Sequence, residues 1–144
     1  MNDSTQADID RLINEQMADA LIYSDRQGSI RQWNAAAEAL FGHPRAQALG
    51  QSLDLIIPEN LRAAHWSGFD QAMETGTTRL HGQATLTRAL TADGRTVYVE
   101  MSFAVVTDAS GQAIGSVAIA RDATRRRQEE KALRARLAEL ERGA

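Results

Sequence analysis

The feature that most constrains the fold is a stretch of twelve residues, 96–107, in which apolar and polar side chains alternate. Its apolar members occupy every second position: Val97, Val99, Met101, Phe103 and Val105. Because successive side chains of a β-strand point to opposite faces, this alternation predicts a long strand with one buried face. The Asp93-Gly94 pair just before it is typical of a hairpin turn. A second strand is therefore expected to precede this one and pair with it.

Other parts of the chain supply more strands and a group of helices. Strands are predicted at residues 20–24, 29–34, 78–90 and 113–120. Between the second and third strands, helical or apolar turns are predicted at residues 35–41, 44–49 and 53–57, followed by a longer helix at about 59–75. The sequence thus predicts an α+β fold, in which a five-stranded antiparallel sheet carries its helices on one face.

Amphipathic helices are predicted at both ends of the chain. Near the start, apolar residues share one helical face: Ile9, Leu12, Ile13 and Met17. Near the end, Leu133, Leu137 and Leu140 follow at the four- and three-residue spacings of a coiled coil. We therefore predict an N-terminal amphipathic helix in residues 1–18, a central domain in 19–122 and a C-terminal helix in 123–144. A homodimer through the terminal helices is expected.

Composition excludes several kinds of site. The 144-residue chain has no cysteine, so disulfides, thiolate metal sites, cysteine nucleophiles and thiol-linked chromophores are excluded. A net charge of −3 gives no general attraction to nucleic acid or to an anionic membrane. No apolar run is long enough to span a membrane, and the first residues do not resemble a signal peptide, so a cytoplasmic location is expected. No nucleophile and base set, metal-ligand cluster or phosphate-binding loop indicates an enzyme.

The helix predicted at residues 59–75 carries the most informative side chain. Pro58 and Gly76 are typical of the two ends of a helix. The apolar face includes Leu61, Phe69 and Met73, and His65 lies on the same face. One interpretation is a core histidine bonded to backbone groups. The other is a neutral imidazole that faces an apolar cavity and ligates a metal.

Several short motifs, in this order, resemble the PAS family over residues 18–124. They are Asp25-Arg26-Gln27-Gly28, Ile30-Arg31-Gln32-Trp33-Asn34, Ala36-Ala37-Glu38-Ala39-Leu40-Phe41-Gly42, Ala48-Leu49-Gly50-Gln51, Ile57-Pro58, Asp93-Gly94 and Arg121-Asp122-Ala123-Thr124. The last resembles the Asp-x-Thr junction that couples a PAS sheet to an output helix. The resemblance implies the PAS fold, with a C-terminal signalling helix after the sheet.

Residues 58–65 further resemble the proximal helix of haem-binding PAS oxygen sensors. In that subfamily a histidine at the place of His65 ligates the haem iron, and a propionate-binding side chain lies where Arg79 lies. The positions that carry a distal arginine or a methionine ligand in those relatives are Thr85 and Gln83 here. The resemblance therefore implies haem b on His65, with a distal side unlike that of the oxygen sensors. His43 is expected at the surface, and His81 at most at the edge of the pocket.

The expected function is a sensory module without enzymatic activity. Haem b would lie between helix 59–75 and the inner sheet face, with Leu61, Phe69 and Met73 around it. The other ring nitrogen of His65 would be bonded to a backbone carbonyl or water. Gas or redox state would then pass to a downstream output domain. The alternatives are a haem-free PAS dimerisation or relay domain with an empty or small-ligand-filled pocket, and non-covalent flavin.

Overall fold

A computed structural model describes residues 3–78 and 82–143 of the chain. The helices in this part of the chain are α1 (Asp3–Gln16), α2 (Ala35–Phe41), α3 (Arg45–Ala48), α4 (Arg62–Thr75) and α5 (Thr124–Gly143). The strands are β1 (Ala20–Asp25), β2 (Ile30–Trp33), β3 (Thr85–Leu90), β4 (Thr96–Thr107) and β5 (Ala113–Asp122). Two 3₁₀ turns, Leu53–Ile56 and Glu59–Leu61, lie between α3 and α4.

The strands form one antiparallel sheet in the order β2-β1-β5-β4-β3. The last strand, β5, lies at the centre and pairs with β1 on one side and β4 on the other. Helices α2, α3 and α4 lie between β2 and β3 in the chain, and their buried side chains pack with the inner sheet face. The predicted α+β class with a five-stranded antiparallel sheet is confirmed.

The tightest part of the core lies under α2. Trp33, Phe41, Ile22 and Ile30 are all at most 2% exposed, and the rings of Trp33 and Phe41 have centroids 5.5 Å apart. Each of these side chains comes from a position that the strand or helix pattern directs inward. This end of the inner face is closely packed.

Asn34 joins the elements around that packed end. Its buried side-chain oxygen accepts hydrogen bonds from the backbone N–H of Leu21 and of Ala37, both at 2.9 Å. Its amide nitrogen donates to the carbonyls of Asn14 (2.9 Å) and Asp19 (3.0 Å). Asn34 is thus the N-cap of α2, and the same residue also ties α1 and β1 to that helix.

The structure departs from the predicted bounds at two places. The prediction of strand for residues 78–90 is wrong in its first part, because pairing with β4 starts at Thr85, opposite Met101. Residues 82–84 are not strand and Gln83 borders a cavity, while residues 79–81 lie outside the described part. The helix predicted from residue 59 begins with a 3₁₀ turn and becomes α-helical at Arg62. Helix α1, Asp3–Gln16, lies within the N-terminal segment 1–18 that was predicted to contain it.

The C-terminal helix extends beyond the sheet with an exposed leucine side. Leu133, Leu137 and Leu140 are each about 60% exposed. The basic residues before them, Arg125, Arg126 and Arg127, contact other residues of the protein. Arg125, for example, pairs with Glu129 at 3.1 Å. Within residues 3–78 and 82–143, none of the helices combines the length and apolarity that crossing a membrane requires.

Candidate functional site

Two adjoining cavities lie between α4 and the sheet. One has a volume of about 430 Å³ and lies towards the C-terminal half of α4, and the other, of about 320 Å³, lies towards its start. The residues that line both cavities are Ala64, His65, Phe103 and Ser116. Each cavity falls in the usual size range of small-molecule sites, and most of its lining is apolar. His65 therefore lies where the two spaces meet.

The His65 ring is held on two sides by aromatic side chains of its own helix. The Trp66 ring meets it edge to face at 4.8 Å between centroids, and the Phe69 ring lies nearly parallel to it at 6.1 Å. Its Nδ1 atom is buried, and no protein group among the described residues hydrogen-bonds to it. The expected backbone carbonyl partner is thus not found there. A buried polar atom that no protein group satisfies is uncommon, and a water, an ion or a ligand can satisfy it.

The surroundings of His65 favour its neutral form. Burial lowers the pKa of His65 below its ordinary value of 6.5, because the charged imidazolium would lose hydration. The negative charge of Asp54 opposes this shift without reversing it. The neutral imidazole is the form that binds a metal ion. His65 is therefore in the right protonation state for ligation near pH 7.

Helix α4 is fixed against the preceding segment by Trp66, the neighbour of His65. Trp66 donates its indole N–H to Asp54 Oδ1 at 2.7 Å. The ring also covers Gly28 in the β1–β2 turn so closely that a Cβ there would lie 2.2 Å from the indole. Trp66 therefore packs between α4, the segment that precedes it and the β1–β2 turn. These contacts set the position of the His65 helix relative to β1.

The described residues predicted for the site all border one of the two cavities. Phe69, Met73 and Gln83 line the larger cavity, and Leu61 and Thr85 line the smaller one. Arg79, predicted to pair with a carboxylate, lies outside the described residues, as does His81. The residues on α4 and on the segment up to β3 are thus brought together around His65.

Sequence reasoning missed the contribution of the central strand, β5. Ser116, on the central strand β5, borders both cavities and is 9% exposed. It lies 3.1 Å, Oγ to Oγ, from the fully buried Ser24 of β1. The available signal was a serine at an inward position of an otherwise apolar strand. Phe103, which also borders both cavities, belongs to the apolar face predicted for β4.

The strand that carries Ser116 leads directly into α5. Asp122 Oδ1 accepts a hydrogen bond from the Thr124 N–H at 2.8 Å, at the first residue of the helix. Tyr98 of β4 binds both sides of this junction, because its carbonyl accepts from Ala123 N–H at 2.8 Å and its N–H donates to Thr124 Oγ1 at 3.2 Å. The start of α5 therefore follows directly from β5 and is hydrogen-bonded to β4.

Comparison with curated proteins finds sensors among the relatives. The chain is 30% identical over 92 residues to the sensor protein FixL of Bradyrhizobium diazoefficiens, covering 64% of this chain and 18% of that protein. It is 27% identical over 112 residues to the oxygen sensor protein DosP of Escherichia coli K12, covering 78% of this chain and 14% of that protein. The chain thus spans less than a fifth of these two relatives.

Solved structures and family models agree on the fold. The PAS domain of a protein from Colwellia psychrerythraea superposes with a TM-score of 0.73 at 24% identity, covering 83% of this chain and 98% of that one. The family model described as the PAS fold matches residues 7–123, most of the chain. This match agrees with the five-stranded antiparallel sheet and the helices around it. The chain therefore belongs to the PAS family, whose domains are sensory modules of signal transduction.

Proposed function

We propose that this PAS domain binds haem b through His65 and relays gas or redox state to an output domain. The observation that carries the proposal is the buried Nδ1 of His65, which has no hydrogen-bond partner among the described residues at the meeting point of two cavities. A haem iron needs only one protein ligand, since the macrocycle supplies its other nitrogens. The name of DosP, an oxygen sensor protein, is consistent with this assignment.

The residues present fit the group chemically. Haem b would supply an iron that binds a diatomic gas or changes its redox state. His65 offers a neutral ring nitrogen, while Phe69, Met73 and Leu61 offer apolar walls on the same helix side. Gln83 and Thr85 border the cavities without a charge or a strong iron ligand. Arg79 is expected to pair with a haem carboxylate, as guanidinium groups do.

Relay to the output runs through residues of β5 and α5. A shift of β5 at the cavity would be carried along the strand to the Asp122 and Thr124 junction. Arg126, at the start of α5, also pairs with Glu100 of β4 at 2.8 Å. A movement of β4 or of β5 would therefore move the start of α5. A coupling of this kind needs only a few kcal/mol of difference in ligand affinity between the two states.

An absorption spectrum of the full chain expressed with haem supplied tests the proposal. The parent should show a strong Soret band that is lost or shifted in His65→Ala. His43→Ala is the matched control, because only the backbone carbonyl of His43 makes a described hydrogen bond, to Trp33 Nε1 at 2.9 Å. The control should keep the parent spectrum. A colourless parent, or a His65→Ala spectrum equal to that of the parent, would rule the assignment out.

One observation favours a second function, a haem-free dimerisation and relay domain. The leucine side of α5 is exposed at the spacing of a coiled coil, which fits a homodimer through the terminal helices. In that function His65 would be a core histidine and the cavities would hold a small apolar molecule. A colourless parent that sediments as a dimer would favour it, and a flavin spectrum would indicate that cofactor instead.

A further inference from the structure

We propose that the Ser116 hydroxyl is the hydrogen-bond donor to whatever ligand binds on the side of the cavity facing away from His65, and that Ser24 orients it. This inference rests on the proposed function, because it concerns the ligand of a haem held by His65. Sequence comparison pointed to Thr85 and Gln83 for that side. Gln83 and Thr85 each border only one of the two cavities, whereas Ser116 borders both.

Ser116 lies where the two cavities meet. Ser116 is one of four residues that line both cavities, and His65 is another. The two come from facing elements, since His65 is on α4 and Ser116 is on the central strand of the sheet. The other shared residues, Ala64 and Phe103, have apolar side chains. A ligand between helix and sheet at this point therefore finds a single hydroxyl among the residues shared by the two cavities.

The hydroxyl of Ser24 can donate a hydrogen bond to Ser116 Oγ. Ser24 is fully buried, and its hydroxyl lies 3.1 Å from Ser116 Oγ. A serine hydroxyl has one hydrogen to donate and can accept two hydrogen bonds. If the Ser24 hydrogen goes to Ser116, then the Ser116 hydrogen is free to point into the cavity. Such a chain also strengthens the outer donor, because each hydrogen bond polarises the next.

Ser24 and Ser116 are held in place by the paired strands that carry them. Ser24 and Ser116 face each other across the β1–β5 ladder, and Val105 of β4 lies opposite Ser116 on its other side. The pair therefore lies on three adjacent strands, with ladders on both sides of β5. A donor that is held in place pays little ordering cost when the ligand arrives. The same strand ends at the α5 junction, so this hydrogen bond would also report the ligand to the output helix.

The test uses fluoride as a ligand of the ferric protein and carbon monoxide as a ligand of the ferrous protein. Fluoride is a small anion that depends on hydrogen-bond donors, so Ser116→Ala should raise its Kd roughly tenfold, the loss expected for one hydrogen bond to a charged group. The C–O stretching frequency should move upward, because a donor to the carbon monoxide oxygen is removed. Ser116→Thr keeps a hydroxyl and should stay close to the parent in both measurements.

Two further variants separate a direct contact from a structural role. Ser24→Ala should weaken fluoride binding only about twofold, because it removes the polarising hydrogen bond and not the donor. Ser102→Ala is the matched control on β4, since Ser102 lies on the opposite face of the sheet from Met101 and should change neither readout. Ser116→Cys, similar in size but a weak donor, serves if Ser116→Ala does not fold and should show the same direction.

The outcomes distinguish this inference from the proposed function. A parent with a Soret band in which Ser116→Ala or Ser116→Cys changes neither fluoride affinity nor the C–O frequency would overturn the role of Ser116 and leave the role of His65 standing. A parent without a Soret band would overturn both. A rise in fluoride Kd together with an upward C–O shift, absent in Ser102→Ala, is the result that the inference requires.

Discussion

The inner face of the sheet is filled in different ways at its two ends. Under α2, Trp33 and Phe41 are almost fully buried and pack ring against ring. Under α4, two cavities remain between the helix and the sheet, and a buried nitrogen of His65 has no described partner. The two ends belong to the same sheet and the same core, so the difference is local to the helices that cover them.

This difference shows how a small domain can support a binding site. The closely packed end supplies hydrophobic burial and holds the elements through Asn34. At the hollow end less apolar surface is buried, and the cavities leave space beside His65 Nδ1, a polar atom in an apolar wall. Regions that bind ligands are generally drawn from the less stable parts of a fold. Stability and ligand binding are therefore expected to divide between the two ends.

The largest expected effect is a loss of stability at the packed end. Phe41 is fully buried and Phe69 is 8% exposed beside the larger cavity. Phe41→Ala should lower the free energy of unfolding by about 3–5 kcal/mol. Phe69→Ala should cost about 1–2 kcal/mol in the haem-free protein, because part of its surface already faces empty space. Urea unfolding of both variants checks this, and equal losses would remove the contrast between the two ends.

A smaller effect is expected where the hollow end is joined to the rest of the domain. Gly28 and Gly94 have nearly the same backbone, with φ of +81° and +82°, but only Gly28 has the Trp66 ring against it. Gly94→Ala should cost about 1–2 kcal/mol from left-handed backbone strain alone. Gly28→Ala should cost measurably more and also displace α4.

Thermal unfolding of both glycine variants, together with Gly28→Ala in a Trp66→Ala background, isolates the ring contact. The two substitutions should be less than additive, because the alanine methyl no longer meets the indole once Trp66 is removed. Additive losses, or equal losses for Gly28→Ala and Gly94→Ala, would show that Trp66 does not hold the turn.

The smallest expected effect is a pH dependence at the hollow end. The folded pKa of His65 lies below its ordinary value of 6.5, so the unfolded chain binds more protons between the two values. Stability of the haem-free protein should therefore fall as the pH drops below about 6.5. His65→Gln does not titrate and should lose less stability between pH 7.5 and 5.5. Parallel losses in urea unfolding of the two proteins would show that His65 is not the group responsible.

Local sequence patterns were enough for most of the fold. The alternation of residues 96–107 predicted β4 with both ends correct, and the helix predicted at residues 35–41 coincides with α2. The pattern failed at residues 82–84, because alternation indicates which side chains share a face but not whether a partner strand is available. Gln83 turned out to border the cavity outside the strand.

The site was predictable on the helix and at Thr85 of the edge strand β3, and not on the central strand β5. The face of the predicted helix at residues 59–75 placed His65, Phe69 and Met73 together, because spacing along one helix determines a face. Ser116 depends on a partner 92 positions away, Ser24. Likewise, the bond from Trp66 to Asp54 depends on how α4 crosses the preceding turn. Contacts of this kind arise from tertiary packing, which a single sequence does not reveal.

Replacing the side-chain ring of His65 by free imidazole tests most directly whether this residue holds haem. In His65→Gly expressed with haem, the Soret band should be weak or shifted, and adding imidazole should restore the parent spectrum, because imidazole can occupy the space left by the side chain. His43→Gly should not respond to imidazole in this way. A His65→Gly protein with the parent spectrum before any imidazole is added, or a parent that binds no haem, would contradict the account.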